Sequence, residues 1–517
     1  MNMRWKRNWP LVAIFLWVVV FMTLFLGSER VVAYTSSTTR SSTTSTTTAV
    51  EGKNYENSLE LFDARQVHQV QVKMDEDTYQ QMISTYQNTG EKEYFQADVV
   101  IDGVEIKNVG IRLKGNASLR TALGGGGARV GAMAQDGNAK PVNRGGPAGQ
   151  QVPPAGMPQG GFPGGRQMPQ DGAPMPPMGG DGQAPAQAQD ATKIKIPFMI
   201  KFDEYVEGQT YQGYTAIAIR NYGVNYDAAM LAEPVTNDMA RLVGLPATKT
   251  SYAGFRLNDE AEKLYVISEV VNKGYVAEYF DNPNGVLYKA ELGSSLSYQG
   301  EDPSSYARSF TQQTRVNDAD MAPLIAFSRF LSEADDGTFE QELATYLDVD
   351  AFATYLALSN LLVNIDSIAG MNNNYYLYYD DQAQRFTLLM WDTNESLGGL
   401  GVRMGDGNVA SYDLYYAGGQ AMRMPGGGEQ NILVKRFLNS DIFRALYEEK
   451  LKKVYEKVFV SGAIDADIEQ YASLIQAANV DERYESTTAY NLAVQTVRDF
   501  VAQRRAYLQS TELLGQP

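Results

Sequence analysis

The chain has no cysteine and a single histidine, His68. Without thiols there is no disulfide framework, no lipoprotein anchor and no cysteine nucleophile, and with one imidazole neither a Ser-His triad nor zinc held by His or Cys is expected. Chemistry must come from carboxylates, lysine, arginine, amides and hydroxyls, with a hard, oxygen-seeking cation such as Mg²⁺ as the compatible metal. Basic charge is also short: 44 Lys and Arg stand against 61 Asp and Glu, a net charge of −17. Nucleic acid and anionic lipid surfaces demand a basic footprint, so neither is expected as the main partner.

The start of the chain places Arg4, Lys6 and Arg7 before an apolar run from Leu11 to Leu26. That is the layout of an export signal, and its length fits a cleaved signal peptide or a short membrane anchor. Residues 1–33 are therefore expected to be that leader, with the body of the protein outside the cytoplasm and in contact with membrane only through this segment. The stretch TSSTTRSSTTSTTT (Thr35 to Thr48) has no apolar side chains to bury, so 34–55 is read as a Ser/Thr-rich tether. A second low-complexity segment, 121–191, is rich in Gly, Pro and Met and is expected to be a disordered insertion within a domain spanning 56–515.

Convincing structure flanks that insertion. VHQVQVKM alternates as a strand, and DEDTYQQMISTY comes next as a helix with Asp75 as N-cap. ADVVIDGVEIKNVGIRLKG reads as two strands around Asp102-Gly103. KIKIPFMIKF, from Lys193 to Phe202, alternates an apolar face with a face carrying Lys193, Lys195 and Lys201. YDAAMLAEPVTNDMARLVGLPA predicts a helix bent or interrupted near Pro234 and ending at Gly244. A hairpin-like pair around Asn258 and Asp259 carries Glu269 in its second apolar run. After about Val349 the pattern turns helical, so the fold class is α+β, strand-rich first and helix-rich last.

The richest stretch is NIDSIAGMNNNYYLYYDDQAQRFTLLMWDTN, Asn364 to Asn394. YYLYY and RFTLLMW joined by DDQAQ predict a β-hairpin, which would bring the residues before its first strand beside those after its second. Asp366 and Asn374 would then lie near Asp392 and Asn394. Carboxylates and amide oxygens converging there suit a hard divalent cation, with another carboxylate left to orient a hydroxyl nucleophile. Spacing alone leaves turn and capping chemistry, a plain calcium site and a glycosidase carboxylate pair open as well.

These residues resemble the spore coat protein H (CotH) family of atypical, secreted-type protein kinases. The similarity lies in Asn364-Ile365-Asp366, then Asn374-Tyr375-Tyr376-Leu377-Tyr378, then Met390-Trp391-Asp392. Upstream, IRLKGNAS (Ile111 to Ser118), Lys195-Ile196-Pro197-Phe198 and YVISEVV around Glu269 occur in the family's order. The resemblance implies a two-lobed kinase-like fold, with ATP and Mg²⁺ or Mn²⁺ as cofactors and Ser or Thr of a surface, coat or envelope protein as acceptor. Asp366 would be the catalytic aspartate, with Asp392, Asn374 and Asn394 as metal ligands. Lys195, Lys201, Arg112, Lys114 and Glu269 would serve the nucleotide. The family often carries W-D-x-D, whereas this chain has Trp391-Asp392-Thr393-Asn394. A reduced or non-catalytic kinase-like protein of surface or coat assembly is the alternative reading.

Overall fold

The structure, a computed structural model, describes residues 52–115, 119, 122–123, 195–221, 227–318, 320–403, 407–416 and 430–515. The expected leader, nearly all of the tether and nearly all of the insertion lie outside the described residues.

Alternating sequence builds the strands: β1 (Asn54–Tyr55), β2 (Val67–Lys73), β3 (Phe95–Ile101), β4 (Val104–Leu113), β5 (Phe198–Lys201), β6 (Thr210–Tyr211), β7 (Ala216–Arg220), β8 (Thr250–Leu257), β9 (Lys263–Glu269), β10 (Val286–Ala290), β11 (Phe310–Gln312), β12 (Tyr375–Asp380) and β13 (Arg385–Met390). Seven close a barrel in the order β2-β3-β4-β5-β7-β9-β8, sealed by the parallel pair β2·β8. Its interior is filled by every second residue, among them Ile111, Leu113, Phe198, Ile200, Ile217, Ile219 and Ile267. The Asp102-Gly103 turn forms as expected, both residues left-handed at φ 47° and 85°. The pair around Asn258 also forms.

Two expectations are corrected. The strand expected over Lys193 to Phe202 is confined to Phe198–Lys201 among the described residues, because Pro197 has no N–H to donate to a ladder. The helix expected to bend at Pro234 instead starts at Ala232 and runs unbroken to Leu242. Pro234 sits in its first turn, where the missing N–H is lost at no cost.

Outward-facing barrel residues Tyr252, Leu264 and Val266 share a second, larger core with that helix and with the helices of the C-terminal half. The same core receives one face of a four-stranded sheet, β11-β10-β12-β13. Its other face, with Leu287, Tyr376, Tyr378, Leu389 and Trp391, packs on the short helix Lys273–Tyr279. The chain is thus a strand-rich N-terminal part and a helix-rich C-terminal part, as the sequence predicts, with the larger core shared between them. Among the described residues no helix is long and apolar enough to cross a membrane.

The Ala232–Leu242 helix is also tied to the helix Ala463–Ala478. Tyr471 donates to Asp238 Oδ2 at 2.5 Å, and Arg241 pairs with the same carboxylate. Burial, and then the Asp238 charge, push the Asp467 carboxyl up from 3.8 to about 7. A raised carboxyl favours the fold below its unfolded pKa, and that contribution is lost as pH climbs through the folded value. Asp467→Asn is therefore expected to gain melting temperature relative to the parent between pH 4 and pH 8. Parallel curves for the two proteins across that range would contradict it.

Candidate active site

The helix Val349–Leu361 ends in a loop that holds Asp366. Asn364 N–H donates to the Ser359 carbonyl at 2.8 Å, and Met371 N–H donates to the Ile365 carbonyl at 3.0 Å. Gly370 permits this tight return, since a Cβ there would lie 1.8 Å from the Ile365 oxygen. The loop brings two amides onto one carboxylate: Asn373 Nδ2 donates to Asp366 Oδ1 at 2.9 Å and Asn374 Nδ2 to Oδ2 at 2.8 Å.

Hairpin pairing does the rest. Tyr375 pairs with Met390, so Asn374 stands beside the residues just after β13, and its amide also reaches the Asp392 carbonyl at 3.3 Å. Asn374 and Asp392 both adopt left-handed backbone, φ 52° and 50°, a conformation that Asn and Asp tolerate better than most side chains. The turn after Asp392 is docked onto the Ala232–Leu242 helix, with Thr393 Oγ1 donating to Asn237 Oδ1 at 3.1 Å and the Ser396 and Thr236 hydroxyls 2.5 Å apart.

From the barrel, Arg220 at the end of β7 reaches two carboxylates. Its Nε lies 3.2 Å from Glu233 Oε2 on that helix, and its Nη2 pairs with Asp392 Oδ1. Burial and the Asp392 charge push Glu233 up, with Arg220 pulling against them. Just past the end of β4, Lys114 lies 5.1 Å from the Trp391 ring centroid, and the Arg220 guanidinium lies 5.6 Å from it. Burial, with Arg220, Lys289 and Arg112 nearby, pushes the Lys114 ammonium down to about 7 against the pull of Asp392. Cations therefore gather beside this aspartate in a chain of net charge −17, an arrangement that suits an anion carrying several charges.

Among the sequence-predicted residues, Asp366, Asn374, Asp392 and Lys114 are brought together. Arg112 lies two positions before Lys114, opposite Met199 on β5 and over the Tyr94 ring at 5.2 Å. Asn394 sits half-buried in the turn after Asp392. Three others are placed elsewhere. Lys201 is at the far end of β5, paired with Ala216 rather than near Arg220, and its ammonium is 2.7 Å from Glu204 Oε2. Glu269 pairs with Ile217 and accepts from Lys249 N–H at 3.1 Å. Lys195 has Glu485 and Lys263 as its charged neighbours. For Lys201 and Glu269 the reason is shared: one strand end faces the site, and a residue three positions along is about 10 Å away. Lys195 lies at the near end, its carbonyl accepting from Asn221, but has Glu485 and Lys263 rather than Asp392 beside its ammonium. Were a nucleotide bound beside Asp392, Lys114→Ala would weaken its binding about 10-fold or more, the worth of a charged phosphate contact, and Lys201→Ala less than about twofold. Equal losses in a titration with a fluorescent nucleotide would contradict this placement.

Arg220, Glu233 and Trp391 are not singled out by sequence pattern as working groups. The signal for the first is an arginine closing the apolar strand AIAIR; for the second, a glutamate in an apolar helix start, AEPV, where burial requires a partner.

The donor set fits Mg²⁺. No group of three His, Cys, Asp or Glu side chains converges among the described residues, which disfavours zinc and a caged calcium. One carboxylate, Asp392, with the Asn374 amide oxygen would suit a cation that keeps several waters and takes its remaining ligands from phosphates.

The strand-rich and helix-rich parts, meeting around an amide-braced aspartate and a second, arginine-paired one, define a kinase-like α+β fold. The model of the CotH kinase protein family matches residues 188–508, and the chain belongs to that family. It is 22% identical over 239 residues to the inner spore coat protein H of Bacillus subtilis (strain 168), covering 45% of this chain and 60% of that protein, less than two thirds of its length. Among solved structures, the Helicobacter pylori proinflammatory kinase CtkA aligns with 57% of this chain and 91% of its own, at 10% identity and a TM-score of 0.27.

Proposed function

We propose that this protein is a Mg²⁺-dependent kinase that transfers the γ-phosphate of ATP to Ser or Thr hydroxyls of a coat, surface or envelope protein outside the cytoplasm. The observation that carries it is the Asp366 carboxylate, fixed on both oxygens by Asn373 and Asn374, with Asn374 also touching the backbone of Asp392. Bound Mg²⁺, held by Asp392 and the Asn374 amide oxygen, would neutralise phosphate charge. Lys114 and Arg220 bind phosphate oxygens, and Asp366 accepts the proton of the incoming hydroxyl. The new O–P bond forms on the acceptor as the bond to the β-phosphate oxygen breaks, and ADP leaves with that electron pair. Such chemistry needs positioning and charge more than covalent help, which suits a chain without cysteine.

The extracytoplasmic setting rests on the basic and apolar start of the chain, and the coat setting on the relative's name. The second reading, a non-catalytic kinase-like assembly protein, rests on Asn394, which supplies no charge where the family often has an aspartate. Incubating the protein with Mg²⁺ or Mn²⁺ and γ-labelled ATP separates the two. Label on Ser or Thr supports transfer; nucleotide binding with no label on any protein favours assembly.

A further inference from the structure

Arg220 does two things with one guanidinium. Its Nε is held by Glu233, whose side chain is fully buried, while its Nη2 occupies Oδ1 of Asp392, whose side chain is 32% exposed. One end of the fork is ion-paired inside the protein at 3.2 Å and the other meets one oxygen of the more open carboxylate. Asp366 is similarly satisfied, each oxygen accepting from an asparagine amide. A divalent cation arriving alone would therefore find at Asp392 one oxygen already taken by a largely buried guanidinium and the full positive charge of that group beside the other.

A polyphosphate changes that balance. Phosphate oxygens are bidentate partners for arginine, and Lys289 and Arg112 add their charge to Lys114 and Arg220 in the same region. The planar guanidinium would have to pivot as one body about its contact with Glu233, carrying Nη2 from Asp392 to a phosphate and leaving Asp392 for the cation. We propose that Arg220 is a positioning latch. It occupies one oxygen of Asp392 and opposes a lone metal with its charge until a polyphosphate draws the guanidinium away, so that metal and nucleotide bind as a coupled pair. The inference rests on the kinase reading for the identity of the anion, but the engagement of Asp392 by Arg220 stands on the ion pairs alone. By linkage the coupling is reciprocal, each ligand raising the affinity of the other by the same factor.

The role also explains why the position suits arginine. A planar fork can hold Glu233 with one nitrogen and Asp392 with another, whereas a lysine ammonium is a point charge that must favour one of them.

The test uses the full chain and Mn²⁺ as the metal probe, its binding read by electron paramagnetic resonance without turnover. Wild type is expected to bind Mn²⁺ alone weakly, and at least tenfold more tightly with ATP or inorganic tripolyphosphate. Arg220→Met is expected to bind Mn²⁺ alone at least tenfold more tightly than wild type and to lose most of the enhancement. Arg220→Lys keeps the charge and is expected to fall between them, which separates an occupied carboxylate from simple repulsion of a cation. If the methionine variant does not fold, as judged by its melting curve, the lysine variant decides. Mn²⁺ binding alone that is equal in wild type and the folded variants overturns the latch. Failure of ATP to bind at all would instead remove the kinase reading, while tripolyphosphate and the metal-alone comparison still decide the role of Arg220.

Discussion

Asp366→Asn is expected to lower the rate of phosphoryl transfer by roughly 10²–10⁴-fold, the usual range for a positioned proton acceptor, with little change in the KM for ATP. The substitution preserves shape, so the loss isolates chemistry from packing. It also inverts one hydrogen bond: Asp366 accepts from both Asn373 and Asn374, and an asparagine there must turn an NH₂ toward one of those donors. The split between kcat and KM is the informative readout. A base that touches only the acceptor hydroxyl costs kcat, whereas a residue that merely holds the loop would disturb nucleotide binding too. A variant retaining more than about a tenth of parental kcat would remove Asp366 from the role of base.

Arg504→Met is expected to destabilise the fold by about 3–5 kcal/mol, the range for breaking a buried charge network. Arg504 is fully buried on the long helix Thr487–Ser510. Its donors go to backbone carbonyls: Nη2 to Asn360 at 2.7 Å, Nε to Leu361 at 3.1 Å, and Nη1 to Ala410 at 3.0 Å and Tyr412 at 2.6 Å. Asn360 and Leu361 lie in the last turn of the Val349–Leu361 helix, where orphan carbonyls and the helix dipole both favour a cation. Burial brings its pKa down to about 10, so the side chain stays charged at neutral pH. Methionine fills most of the volume and leaves three buried oxygens and one part-buried oxygen without these donors. Arg504→Lys restores charge but not the planar fork, and is expected to recover only part of the loss. Chemical denaturation showing a change below about 1 kcal/mol would contradict the network's weight. Because the same helix end leads into Asn364-Ile365-Asp366, the variant should lose activity before it unfolds.

Much of the site was legible because its parts are close in sequence. The hairpin from Tyr375 to Met390 is fixed by two apolar runs and a polar turn, and a hairpin necessarily places the residues before its first strand beside those after its second. Hence Asp366, Asn374 and Asp392 could be assembled on paper. The barrel contributions could not. Lys195, Lys201 and Glu269 lie on or beside strands with the right chemistry, yet sequence alternation gives the face of a strand and says nothing about which end meets the rest of the molecule. Register decides that: Phe198 opposite Ile219 and Glu269 opposite Ile217 put Arg220 and Lys114 at the site and leave Lys201 and Glu269 away from it.

Local pattern and composition by themselves thus determined the α+β class, the strand-rich and helix-rich halves, the absence of thiols, and the hairpin that sets Asn374 beside Asp392. Only the tertiary structure chose Arg220 and its partner Glu233, because an ion-pair set joining β7, a nearby helix and a hairpin end 172 residues away depends on how separate elements pack. Period and composition act over a few residues; the contacts that set charge in this site are made across the cores.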